Sequence, residues 1–580
     1  MSQTSPPVQI YFEISFTEPQ AHYIDVSMTV TGISQGQLEL IMPVWTPGSY
    51  LIREFSKNVE AFKVISNGKP LHFEKSRKNS WLINTKNITA ITVAYRVYAF
   101  EVSVRTSFVD SSHAFLSPAG IFLYPEGMLN LSSKIQIIPC SNWKTVSTGL
   151  ETADNNPYCF YAPNFDTLYD SPFEVGNQHV FSFTAARVLH EVAMYGGGMY
   201  HEETLTADFT RIIEEETVIF GENPNKRYVF IIHNFNQGSG GLEHGNSTVL
   251  GVSRAAYATE KTYQDFLGLV SHEYFHLWNV KRLRPEALGP LDYQQENYTT
   301  SLWIAEGFTA YYDNLILRRA GLISAEAYLK LLAADIINIE NLPGRKIQTV
   351  TEASFDTWIK FYRPNENSPN STISYYVKGS LIALCLDLLI IHETNAARSL
   401  DDVMKRMYEQ VYKTENRGYT EEEFKMVLED VAGTSLNHIY EHYINGLEEL
   451  DYNHYLGYAG LRLRICPPEI KPLPTTGFTA VLNAGKLLVT QVERDTAAWI
   501  EGVNVNDELL AINSNRIVDL EKSLQFQLPG DIINLTLVRG GMLLQIPLTL
   551  QNQHKIKYQI EEIWEPSSLQ ISVRNKWLKL

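Results

Sequence analysis

Val270-Ser271-His272-Glu273-Tyr274-Phe275-His276-Leu277-Trp278 carries two histidines four residues apart, with a glutamate directly after the first. On a helix, positions i and i+4 stand one above the other, so both imidazoles address one spot on one face. Histidines at this spacing are Zn²⁺ ligands, and the glutamate, one position round the helix, stands beside the metal rather than on it. From there its carboxylate can take a proton from a water whose pKa the metal lowers. The flanking residues are largely apolar, and the pattern predicts a buried helix over 263–283.

A catalytic zinc takes three protein ligands and keeps one position open. Glu306, thirty residues past His276 within Leu302-Trp303-Ile304-Ala305-Glu306-Gly307-Phe308-Thr309, is the expected third ligand. It falls on a second helix, predicted over 299–317, that packs antiparallel against the first. Asp313, two turns further along the same face, reads as a surface aspartate, with support of a ligand histidine as the alternative. Arg282 and Arg284 read equally as structural residues and as contacts for a substrate carboxylate.

Outward from this centre, residues 8–170 form short runs of Ile, Val, Tyr and Phe broken by turn signals such as Ser66-Asn67-Gly68 and Thr46-Pro47-Gly48. That texture predicts an all-β sandwich. From about residue 185 longer helical patterns take over, with further helices expected over 325–337, 374–392 and 420–446. A proline-rich break at 466–474 precedes a return to short strands at 487–492, 508–512 and 532–538. The expected organisation is a β-sandwich over 1–175, a mainly α catalytic domain over 176–460, a β-rich domain over 466–552 and an extension over 553–580 without a clear pattern.

Composition agrees with several soluble domains, since the 580 residues are 44% hydrophobic and 19% charged. Acidic residues outnumber Lys plus Arg by 65 to 48, a net charge of −17 that leaves no electrostatic footprint for nucleic acid. Four cysteines without CxxC spacing fit neither a disulfide framework nor a thiolate metal site, and imply a reducing, cytoplasmic compartment. The opening MSQTSPPVQIYFEIS has no basic start or apolar run of signal length, so no export signal is expected. The most apolar stretch, 381–391, is about half a membrane span and contains Asp387, which predicts a buried helix and no membrane association.

Four segments carry a family resemblance: Pro43-Val44-Trp45-Thr46-Pro47-Gly48-Ser49-Tyr50-Leu51-Ile52-Arg53-Glu54-Phe55, Gly240-Gly241-Leu242-Glu243-His244, residues 272–285, and Glu306-Gly307-Phe308-Thr309-Ala310-Tyr311-Tyr312. On them the chain resembles the glycyl aminopeptidase type of gluzincin metallopeptidase, a relative of the larger zinc aminopeptidases. The resemblance implies a thermolysin-like catalytic domain, one Zn²⁺ per chain, a PDZ domain near the C-terminus, and removal of glycine or alanine from peptides with a free amino end. In the related aminopeptidases a Gly-x-Met-Glu-Asn strand lies along the substrate and its glutamate binds the α-ammonium. Glu243 matches that glutamate, with Leu242 and His244 in place of methionine and asparagine. Gly240, Gly241 and His244 are thereby substrate-binding candidates, although a glycine pair also serves in a plain turn.

The same relatives donate to the oxyanion from the tyrosine of a Tyr-x-Lys-Gly motif. Ser374-Tyr375-Tyr376-Val377-Lys378-Gly379 places Tyr376 in that register, with Tyr375 as the alternative. Gly477-Phe478-Thr479-Ala480 and the segments after it resemble a protease-associated PDZ domain. Gly477 and Phe478 then belong to the loop that captures a peptide C-terminus, or the domain only packs against its neighbour. The expected activity is zinc aminopeptidase. The alternatives are an endopeptidase that does not anchor through Glu243 and an inactive, PDZ-bearing interaction protein.

Overall fold

The computed structural model describes residues 7–238, 240–466, 474–552 and 555–580; most of the proline-rich break, residues 467–473, lies outside the described residues. The chain divides into two compact units: Met1–Thr299 with Tyr312–Ile323 and Asp401–Phe424, and Thr300–Tyr311 with Ser324–Leu400 and Lys425–Leu580.

In the first unit, alternation of apolar and polar residues at period two makes half-buried strands. Gln9–Ser15 and Tyr23–Thr31 bury every second side chain. They lie in an eight-stranded sheet with Ser133–Ile138 on one side and Ala90–Tyr98 on the other, while two four-stranded sheets complete the β-rich region. One core takes side chains from the large sheet (Phe12, Val26, Val93) and from a small one (Leu40, Ile83). Phe12, fully buried, meets Phe122 edge-on with ring centroids 4.9 Å apart.

A five-stranded sheet follows where the sequence reading expects mainly helix, in the order His179–Ala185, Val188–Tyr195, Arg227–Phe235, Ser247–Ser253, Gly240–Glu243. Its parallel middle strands, Arg227–Phe235 and Ser247–Ser253, are buried almost throughout and so lack the alternation that marks a strand. The helix Glu202–Phe220 is the crossover between two parallel strands and ends on Gly221, whose φ of 82° closes the last turn. The following helix, Glu260–Phe275, starts on a capping box made by Thr259 and Thr262. It ends at His276 rather than continuing to 283, because residues 277–283 turn back and Val280 takes φ 102°. Phe220 stacks on Trp278 with centroids 4.8 Å apart, and Tyr274 packs against Phe230 of the sheet. The two-histidine helix is thus wedged between a helix and a sheet.

In the second unit, Tyr375–Glu393 is buried along most of its length. The stretch Ser368–Glu393 is long and apolar enough to cross a membrane by length and composition, and 78% of its most apolar window is buried inside the protein. The helix expected over 420–446 breaks at Gly433, which has φ 71°. Strands Phe478–Asn483, Lys486–Val492, Glu508–Ile512 and Ile532–Arg539 appear close to the expected positions, in a six-stranded β-sheet around Val489, Ile533 and Leu535. The C-terminal extension, unreadable in sequence, forms the strand Tyr558–Glu562 and the helix Ser568–Leu578. Trp577 fixes that helix, being fully buried and donating its indole N–H to the Tyr311 hydroxyl at 2.9 Å.

Removing the Phe12 ring leaves a cavity the surrounding strands cannot close. Phe12→Ala is expected to cost about 3–5 kcal/mol of stability, seen as an earlier midpoint in urea unfolding followed by near-UV circular dichroism.

Candidate active site

Both histidines of the HExxH helix have their Nδ1 atoms engaged away from each other. His276 Nδ1 lies 2.8 Å from the Asn279 carbonyl oxygen, which can only accept, so that nitrogen carries the proton. His272 Nδ1 lies 3.3 Å from Asp313 Oδ2. Asp313 therefore supports the first histidine and is not a surface aspartate, its side chain being only 15% exposed. With both Nδ1 atoms donating outward, both Nε2 atoms present lone pairs, and these face each other at 3.2 Å. Two lone pairs at that distance call for a cation. The separation is close to the edge, roughly 3.3 Å, of a tetrahedron with metal–nitrogen bonds of about 2.0–2.1 Å, so the pair fits two ligands of one zinc.

A second buried group in this unit shows the contrast. His113 Nδ1 and His233 Nε2 each approach a different oxygen of Glu174, at 2.7 and 2.8 Å. One nitrogen of each ring thus has its own carboxylate oxygen, and although burial pushes the Glu174 carboxyl up, the two imidazoles hold it below the usual range. That is a hydrogen-bonded trio in which a carboxylate stands between the two bonded nitrogens.

Glu273 is 5% exposed and lies directly under the edge strand Gly240–Glu243. A Cβ on Gly241 would stand 2.1 Å from Glu273 Oε1 and 2.2 Å from its Cδ, so only glycine lets the strand pass over this carboxylate. The Gly241 carbonyl accepts from Arg105 at 3.0 Å. Gly240, at φ 141°, uses conformational freedom open to glycine. Glu243 at the end of the strand is 4% exposed, and ligand atoms of Glu243, Glu273 and His276 all lie within 4.8 Å of one another. Among the described residues Glu243 Oε1 has no hydrogen-bond partner. A buried carboxylate oxygen without a donor is costly, and a cationic guest removes that cost.

His244 takes a different direction. Its Nδ1 meets Asp170 Oδ1 at 3.0 Å, and the same oxygen accepts from Lys281 at 2.6 Å. Burial alone raises the Asp170 pKa, but Lys281 and His244 outweigh it and hold it at about 2. Arg282 is structural, donating to the carbonyls of Leu277 and Gly245 and to Asn225. Ser271, next to the first histidine, donates to Glu216 at 2.8 Å, a carboxyl that burial pushes well above its ordinary range.

In the second unit, Glu306 is 2% exposed at the junction of Leu302–Ala305 and Gly307–Arg319. A Cβ on Gly307 would stand 2.6 Å from Gly379 Cα, and one on Gly379 would stand 2.5 Å from the Trp303 carbonyl oxygen. These two glycines let the helices touch backbone to backbone, which sets Glu306 beside the start of Tyr375–Glu393. Tyr375 is fully buried and receives a hydrogen bond from Thr357 at 3.0 Å. Tyr376 is half-buried, with its hydroxyl 3.4 Å from that of Tyr362. Burial, and then the Glu306 charge, push the Tyr376 hydroxyl well above the usual phenol range, so it keeps its proton. Gly477, at φ 79°, packs on Thr496, and its N–H donates to the Thr475 hydroxyl at 3.2 Å.

Sequence reasoning missed Asp170, Lys281, Asn279 and Arg105, which come from positions far apart in the chain or act through backbone atoms, and no local pattern announces them.

The model of the Peptidase M61 N-terminal domain matches residues 11–177, and that of the M61 glycyl aminopeptidase matches residues 265–382. Among solved structures, an aminopeptidase N family protein from Idiomarina loihiensis superposes with a TM-score of 0.91 at 32% identity, over 98% of this chain and 100% of that one. An M1 zinc metallopeptidase from Deinococcus radiodurans aligns with a TM-score of 0.46 at 11% identity, over 73% of this chain and 90% of that one. Yeast LTA4 hydrolase aligns with a TM-score of 0.44 at 13% identity, over 79% and 74%. No curated protein matches the chain. Together with the two family matches, the near-complete superposition on the first of these structures shows that this chain is a zinc metallopeptidase of the M61 glycyl aminopeptidase family.

Proposed function

We propose that the protein is an aminopeptidase that removes small N-terminal residues, glycine or alanine, from peptides, with His272, His276 and Glu306 holding one Zn²⁺. The observation that carries the reading is the buried, unpartnered Oε1 of Glu243 in a cluster with Glu273 and His276. An α-ammonium is the guest that such an anion suits. Glu306 as third ligand is supported by helix geometry, since it lies two turns before Asp313 on one helical face and Asp313 binds His272. When bound, zinc supplies Lewis-acid polarisation of the scissile carbonyl and acidifies a water.

The chain's own groups do the rest. Among the described residues Gly240–Glu243 is an edge strand, paired with Ser247–Ser253, so its other edge can hold an extended peptide by main-chain hydrogen bonds. Glu243 fixes the amino end and thereby the register. Glu273 takes the proton of the attacking water at its carboxylate and passes it to the leaving amine. Tyr376, kept protonated, donates to the developing oxyanion. His244 with Asp170 and Lys281 holds the turn beside Glu243 in place.

The C-terminal β-sheet supports a PDZ reading. Phe478–Asn483 is its edge strand, and a groove runs between that strand and the helix Leu520–Leu524. A peptide C-terminus added along that edge is the expected ligand. The four cysteines, none paired, support a reducing, cytoplasmic compartment.

About one zinc per chain is expected by elemental analysis, with activity lost to a chelator and restored by Zn²⁺. Glu273→Gln should keep the metal and lower kcat by roughly 10²-fold to 10⁴-fold; wild-type turnover in that variant would move the general base elsewhere. Tyr376→Phe should lower kcat by roughly 10²-fold to 10³-fold, whereas a matching loss in Tyr375→Phe alone would shift the donor by one residue. For Glu243→Ala the expected fall in kcat/KM on free-amino anilides is roughly 10²-fold to 10³-fold, the effect of leaving a buried charge unpaired. N-acetylated peptides should be poor substrates throughout, and equal cleavage of acetylated and free peptides would assign an endopeptidase instead.

A further inference from the structure

We propose that residues 45–50 of the N-terminal β region form the wall of the pocket that receives the substrate's first side chain, and that this loop restricts it to a small one. The inference rests on the aminopeptidase reading, because it takes the α-ammonium to sit on Glu243.

The loop meets that anchor directly. Gly48 has φ 81°, and a Cβ built on it would stand 2.5 and 2.6 Å from the two Glu243 oxygens. The Glu243 carboxylate therefore lies flat against the backbone at residue 48, and no other residue leaves it there. The loop is also held firmly. Trp45 donates its indole N–H to the Asp292 carbonyl at 2.7 Å and stacks on Tyr293. The Val44 N–H donates to the Tyr293 carbonyl, and the Ser49 N–H closes the turn onto Thr46. A glycine is needed at 48 by the carboxylate, and tryptophan at 45 pins the turn that presents it.

Between this loop and the segment after the HExxH helix lies a cavity of about 50 Å³, lined by Trp45, Pro47, Gly48, Lys281 and Leu288 together with Glu243. Lys281 is tied to Asp170 and serves as wall. By a comparable measure a water needs about 10–15 Å³, so an ammonium and a side chain of one or two heavy atoms fill the space. Glycine, alanine and serine meet that limit. A substrate's first side chain leaves the same carbon as the ammonium, so anchoring one at Glu243 brings the other against the loop.

The test compares Gly-, Ala-, Leu- and Asp-anilides and N-acetylated Ala-anilide on wild type, Leu288→Ala, Pro47→Ala and Gly48→Ala, with zinc content and melting temperature measured on each. Wild type should prefer Gly and Ala. In Leu288→Ala or Pro47→Ala the kcat/KM ratio of Leu- to Ala-anilide should rise by roughly tenfold or more, the usual effect of pocket volume on selectivity. Gly48→Ala should lower kcat/KM on every free-amino anilide by roughly 10²-fold with zinc retained, because its methyl displaces the Glu243 carboxylate. An unchanged ratio in both enlarged variants that still require a free amino end would overturn the wall assignment and leave the aminopeptidase reading intact. A wild-type preference for Asp-anilide would make Arg284, the cation also lining the cavity, the selector instead. Equal cleavage of acetylated and free substrates by wild type would remove the premise itself.

Discussion

The site depends on where two protons are. Asn279 and Asp313 take the Nδ1 hydrogens of His276 and His272, and this leaves two Nε2 lone pairs directed at each other across 3.2 Å. Everything that gives the HExxH helix its position serves that arrangement. The aromatic contacts of Phe220 and Tyr274 fix its roll, and the turn at 276–279 returns a carbonyl to the second histidine. Orientation by outer partners is what lets a pair of imidazoles suit a metal, and it distinguishes this pair from the hydrogen-bonded trio around Glu174.

Close backbone approach is the second theme. Gly241 passes over Glu273, Gly48 under Glu243, and Gly307 meets Gly379. In each case the missing side chain belongs to a glycine, so the glycines place Glu273, Glu243 and the helix pair by making room. Two of these contacts involve strands or loops that meet a carboxylate, where the space saved is occupied by charge rather than by packing.

The HExxH helix was legible because four-residue spacing on a helix has one geometrical meaning, and the strands after residue 477 were legible because turn residues bracket short apolar runs. The five-stranded sheet was not, since its central strands are buried on both faces and look like continuous apolar sequence. Asp313 illustrates a narrower limit. Its spacing from Glu306 gave the right helical face, but its partner is His272, a residue forty-one positions away. The role of Gly241 was half visible: the glycine pair signalled close approach, while the partner turned out to be the protein's own Glu273. Trp577, in a segment with no readable pattern, is held by Tyr311 and Tyr328, so its role exists only in the assembled unit.

The two units are interleaved along the chain, with boundaries after Thr299, Tyr311, Ile323, Leu400 and Phe424. Neither can be made from one continuous segment. During synthesis the first unit stays incomplete until Phe424 has been added, 125 residues after Thr299. At translation rates of about 5–20 residues per second, that is a wait of roughly 6–25 s. The segment that carries Asp313 follows early in this interval, whereas the segment 401–424 comes only at its end. The first unit therefore cannot be completed until residues 324–400 of the second have been made.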